Sequence, residues 1–176
     1  MSSSAHGDTR ILGSLRSEDG KGVVRMEDRY DTDIDDLWSA LTDPGRLARW
    51  YGEVEGDLRL GGALSVRIPD ALEATGRVDA CDPPRRLLVT MRDEDPRPGQ
   101  PEEWVTEAHL TADGDQTVLV VEERGLPVDL LAAYGAGIQI HVENLTAHIA
   151  GREGGDTEAR WQKLLPVYEA LAAEVS

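Results

Sequence analysis

The sequence predicts a single α+β domain in which six to seven antiparallel strands are followed by one long helix. Three observations carry this. Residues 10–31 read as two strands around the turn "SEDGKG". Residues 53–124 alternate apolar and polar side chains between hairpin-length links. Residues 127–150, "PVDLLAAYGAGIQIHVENLTAHIA", switch to helical spacing.

The elements follow in order. The N-terminal "MSSSAHGDTR" has no apolar h-region and reads as a disordered tail over 1–9. After the first hairpin, Ile34, Leu37, Trp38 and Leu41 fall at helical spacing, with Asp33 and Asp36 as a capping pair. Asp43-Pro44 starts a second short helix, with Asp43 as N-cap, Pro44 at the first helical position and Gly52 as the stop. "EVEGDLRL" and "ALSVRI" flank Gly61-Gly62, and Leu64, Val66 and Ile68 share an apolar face. "ATGRVDAC" and "RLLVTM" are separated by "DPPRR", whose prolines stop pairing. "DEDPRPGQPEE" is a polar, mobile loop. "EWVTEAHLTADGDQTVLVVEERG" is a hairpin with "ADGDQ" at its tip. On the long helix Leu131, Ile138, Val142, Leu145 and Ile149 form one stripe, flanked by Tyr134 and His141. Gly135 and Gly137 are poor helix formers there, which points to close approach of a neighbour or a bend. "GREGG" ends the helix, and residues 151–176 add a helical extension that Pro166 kinks or divides.

Composition removes several functions. With 34 acidic against 18 basic residues the net charge is −16, which opposes binding to nucleic acid or an anionic membrane. One cysteine, Cys81, forms no internal disulfide and fits a reducing, cytoplasmic setting. No apolar run approaches the roughly 20 residues of a transmembrane helix. His6, His109, His141, His148 and Cys81 make no metal-ligand spacing, so no metal is expected. "GAG" at 135–137 lacks the preceding strand and third glycine of a dinucleotide fingerprint, and no cofactor is expected.

The order of elements and the phrases "DRYDTDIDDLWSALTDPGRLARWY", "GDLRLGGALSVRI", "GRVDACDPPRRLLVTM", "LTADGDQTVLVVEERGL" and "YGAGIQIHVENLTAHIAG" resemble the bacterial relatives of the activator of heat-shock-protein ATPase. These belong to the SRPBCC superfamily, and the resemblance spans roughly residues 23–150. It implies the helix-grip fold, also called START-like or Bet v 1-like, over residues 10–150. There a curved antiparallel sheet wraps the long helix and leaves an apolar cavity between them, a usual form of small-molecule site. Ile138 stands where these relatives often carry Trp, and Met91 where they often carry an aromatic, so the cavity is reshaped.

Strand alternation places Trp104, Thr106, Ala108 and Leu110 on one face. It offers either Leu119, Val121 and Glu123 or Val118, Val120 and Glu122 as their inward neighbours; the resemblance favours the first set. The expected ligand wall is Trp50, Val66, Met91, Trp104, Thr106, Val121, Glu123, Tyr134, Ile138 and His141. Glu123 is either a desolvated carboxyl fit for general acid or base work, or a solvated strand end. His141 is either a base or a rim residue. A buried Tyr134 hydroxyl needs a partner, and Glu123 or Thr106 would supply one. Trp50, which ends the second short helix, is a core plug or a cavity lip, with Tyr51 facing solvent or the acidic run after it.

Three functions follow as expectations. The first is a small-molecule binder, monomer or homodimer, holding an apolar or aromatic ligand. The second is a cyclase- or hydrolase-type enzyme using Glu123 with Tyr134 or His141. The third is a chaperone-interacting module, which ranks last because the namesake also uses a separate N-terminal domain for which the chain has no room.

Overall fold

A computed structural model describes residues 10–69 and 71–175; the expected tail over 1–9 lies outside them. The strands are β1 (Gly13–Glu18), β2 (Lys21–Tyr30), β3 (Glu53–Gly56), β4 (Ala63–Ile68), β5 (Leu72–Asp82), β6 (Arg86–Arg92), β7 (Glu103–Asp113) and β8 (Gln116–Leu126). The helices are α1 (Ile34–Thr42), α2 (Pro44–Trp50), α3 (Leu131–Ile149) and α4 (Thr157–Ala172), with a 3₁₀ turn at Val128–Leu130 before α3. The strands form one antiparallel sheet in the order β1-β2-β8-β7-β6-β5-β4-β3. That is a helix-grip fold with eight strands rather than six or seven. The surplus reflects the shortness of β3. It stops at Gly56, where φ is +124° and an added Cβ would lie 2.3 Å from the Ala63 carbonyl, so only glycine fits the turn.

Local chemistry sets the helices. The Asp33 side chain accepts from the Asp36 amide, and the Asp43 side chain from the Gly45 amide. These bonds satisfy N–H groups that a helix start leaves unpaired. Arg46 then ties α2 to α1 by donating to the Asp36 carboxylate at 2.8 Å, and its Nε donates to His148 Nε2 at 3.0 Å.

Register decides which face holds the core. Thr106 pairs with Glu123, Ala108 with Val121 and Leu110 with Leu119. These residues face α3, together with Met91 and Val89 of β6. On the opposite face Glu107 accepts from Arg86 at 2.7 Å and Arg124 at 2.9 Å, with His109 at 2.9 Å from the same carboxylate. A one-residue slip would bury this ionic face, so the pairing is strongly specified.

The helix α4 packs against α3 and β1. It runs through Pro166 as one helix, with Leu164 and Tyr168 buried on either side of the proline. Of the two outcomes expected at Pro166, a kink or a division, the helix is not divided, since these two anchors hold the flanking turns on one surface. Gly135 admits the Tyr168 ring: a Cβ there would lie 2.5 Å from Tyr168 Cδ1. Tyr168 also donates to Gln139 Oε1. That oxygen accepts the Leu12 amide at 3.1 Å, while Gln139 Nε2 donates to the Arg10 carbonyl at 2.7 Å. The buried Gln139 therefore joins α3, α4 and the chain leading into β1.

Candidate functional site

Between the sheet and α3 the side chains do not close. Two chambers remain, sharing Tyr51, Met91, Thr106, Glu123, Ile138 and His141 as common wall. The inner chamber, about 150 Å³, is lined mostly by aliphatic residues drawn from α1, α2, all strands from β3 to β8 except β5, and α3. The outer chamber, about 300 Å³, opens past Tyr134, Gln100, Arg97 and Asp93. We call the shared wall the waist.

All ten residues of the expected wall border one or both chambers. Trp50, Val66 and Val121 line the inner one, and Trp104 and Tyr134 the outer. Met91, Thr106, Glu123, Ile138 and His141 stand at the waist.

Glu123 projects from β8 directly across the ladder from Thr106 of β7. Burial pushes its carboxyl up to about 7, against the opposing pull of the Thr106 hydroxyl. An ionised carboxylate is poorly tolerated where water is excluded and no cation is adjacent. His141 is likewise desolvated, and burial pulls it down to about 4, so its imidazole is neutral. Its Nδ1 is buried without a hydrogen-bond partner.

Two local expectations are corrected. Tyr51 does not face solvent. Consecutive residues on a helix diverge by roughly 100°, so Trp50 and Tyr51 cannot share a direction. Trp50 turns to α1 and donates to the Ala40 carbonyl at 2.9 Å. Tyr51 turns to α3, its ring centroid 4.9 Å from that of His141. Trp50 is thus a wall of the inner chamber, and the waist position belongs to Tyr51. Burial, with Glu123 nearby, pushes the Tyr51 phenol upward. Tyr134 finds its partner in neither Glu123 nor Thr106: its hydroxyl donates to Gln100 Oε1 at 2.9 Å. The loop containing Gln100 therefore helps form the cavity mouth.

Tyr51, Asp93, Arg97 and Gln100 escaped sequence reasoning. An aromatic pair next to Gly52 is a usable signal for Tyr51, since one of the two must turn inward. The loop residues carry no such signal, because only the fold brings them over the cavity. Among the described residues no helix is long and apolar enough to cross a membrane, and no three His, Cys, Asp or Glu side chains cluster as metal ligands.

Solved structures share this architecture. CalU16 from Micromonospora echinospora is 28% identical with a TM-score of 0.75, over 94% of this chain and 98% of its own. DynU16, from the dynemicin biosynthetic locus, is 26% identical with a TM-score of 0.67, over 77% of this chain and 50% of its own. MLL2253 from Mesorhizobium loti shares the fold at 23% identity and a TM-score of 0.67, over 73% of this chain and 97% of its own. No curated protein matches the chain. The pattern of the Activator of Hsp90 ATPase homolog 1-like protein family matches residues 31–150, the stretch from the lead into α1 to the end of α3 that builds most of the cavity. The chain therefore belongs to that family, within the SRPBCC superfamily.

Proposed function

We propose that the protein binds a small apolar or aromatic molecule between the sheet and α3. The observation that carries this reading is the two-chamber cavity, with an apolar inner end and desolvated polar groups at its waist. Concave apolar sites with a few convergent polar groups are the usual form of small-molecule sites. The likeness to DynU16, a protein of a biosynthetic locus, favours a small molecule over a macromolecular partner. N-phenyl-1-naphthylamine, an uncharged dye that brightens in apolar surroundings, tests it. Saturable 1:1 enhancement is expected. Ile138→Trp, which fills the waist from α3, is expected to abolish the signal while the protein stays folded by circular dichroism. Equal enhancement in both proteins would place the dye outside the cavity and reject the reading.

A second reading is catalytic. Glu123, held near neutrality by burial, suits general acid or base work. His141 and Tyr51 are its neighbours at the waist, while Tyr134 is engaged by Gln100. In that case Glu123→Gln would remove turnover of a bound compound and keep its binding. The chaperone-interacting reading rests on the family description alone.

A further inference from the structure

We infer that the waist takes the uncharged oxygen group of an aromatic ligand, with the ring in the inner chamber, and turns carboxylates and phosphates away. This rests on the ligand-binding reading above and specifies the ligand's chemistry.

The inner chamber sets the ring. Its volume of about 150 Å³ and its walls of Leu41, Leu47, Val54, Leu64, Leu87 and Leu119 leave a largely apolar space. A cavity of about that volume lined by aliphatic and aromatic side chains holds a benzene-sized molecule. At the waist, Nδ1 of His141 is buried without a hydrogen-bond partner, and Tyr51 lines the same wall. Glu123 has Thr106 alone. Buried polar groups normally find partners, so the unpaired His141 nitrogen at a cavity wall calls for one from the ligand.

Charge sets the class of that partner. No Arg or Lys lines the inner chamber, and Arg97 is the one cation among the residues lining the outer, where Asp93 lines the same mouth. The imidazole of His141 is neutral and supplies no countercharge. An entering carboxylate would meet Glu123 in a water-poor space with no cation beside it, in a chain of net charge −16. A hydroxyl or carbonyl oxygen has no such conflict. It can accept from Tyr51 or His141, and a hydroxyl can also donate to Glu123.

Calorimetric titration at pH 7 with 2-naphthol, naphthalene, 2-naphthoate and 2-naphthylmethylammonium tests the inference. The expected order places 2-naphthol first, at least tenfold tighter than 2-naphthoate and several-fold tighter than naphthalene. Tyr51→Phe, which keeps the ring, is expected to shrink the lead of 2-naphthol over naphthalene. Equal binding of naphthol and naphthoate would overturn the inference, as would tighter binding of the ammonium probe through an ion pair with Glu123. If N-phenyl-1-naphthylamine also fails to bind, the ligand-binding reading falls with it. If that dye binds and naphthol shows no preference, only the inference falls.

Discussion

Replacing Glu123 by Gln removes one ionisable group from the waist and keeps its size. The carboxyl has an ordinary value of 4.5 and sits near 7 in the fold, a gap of 7 − 4.5, or about 2.5 pH units. Each unit corresponds to about 1.4 kcal/mol, so the full linkage is about 3–4 kcal/mol. The sign follows from proton binding. Between pH 4.5 and 7 the folded chain holds the proton more firmly than the unfolded chain, so stability falls as pH rises through that window. The loss is complete above the folded value, where a carboxylate is buried among Thr106 of β7, Tyr51 at the end of α2, and Tyr134, Ile138 and His141 of α3. Glu123→Gln should therefore match the parent at pH 4.5 and exceed it by up to about 3–4 kcal/mol at pH 8.5. His141 acts in the opposite sense: its value falls from 6.5 to about 4, so its contribution is present above 6.5 and lost as pH falls. In the parent the two trends offset one another between pH 4.5 and 6.5. In the variant the His141 decline stands alone. Urea midpoints at half-unit intervals from pH 4.5 to 8.5 measure both. A difference between variant and parent that stays flat with pH, or a variant less stable at pH 8.5, would refute the claim that Glu123 is desolvated without a countercharge.

Two further predictions concern the join between α3 and α4. Gln139→Leu leaves the Leu12 amide, the Arg10 carbonyl and the Tyr168 hydroxyl without their shared partner; a loss of about 2–3 kcal/mol is expected in urea denaturation. Gly135→Ala gains about 1 kcal/mol of helix propensity yet drives a methyl into the Tyr168 ring. Net destabilisation of about 1–2 kcal/mol is expected, with hydrogen exchange speeding up in α4 before β7 and β8.

Much of the fold was legible because it rests on local chemistry. The Asp33 and Asp43 caps, the apolar stripe of α3 and the alternation in β7 and β8 each follow from neighbours within a few residues. The β7–β8 register did not follow from alternation, which left Leu119, Val121 and Glu123 or Val118, Val120 and Glu122 open; the family resemblance favoured the first set, and the pairing of Thr106 with Glu123 agrees with it.

Tertiary structure decided the rest. Periodicity assigns a face to a residue and leaves open what that face meets. Tyr51 and Trp50 are adjacent in sequence, but the angle between them sends one to His141 and the other to Ala40. Tyr134 could have met Glu123 or Thr106; the loop after β6 delivered Gln100 first. By itself the sequence determined the kinds of element and their order, and it pointed to ten residues that border the cavity while missing Tyr51 and the loop residues Asp93, Arg97 and Gln100. Whether that wall closes, and which polar groups inside it go unpaired, depends on packing between segments far apart in the chain. Such contacts leave no local periodicity, because each arises only when the sheet bends around α3.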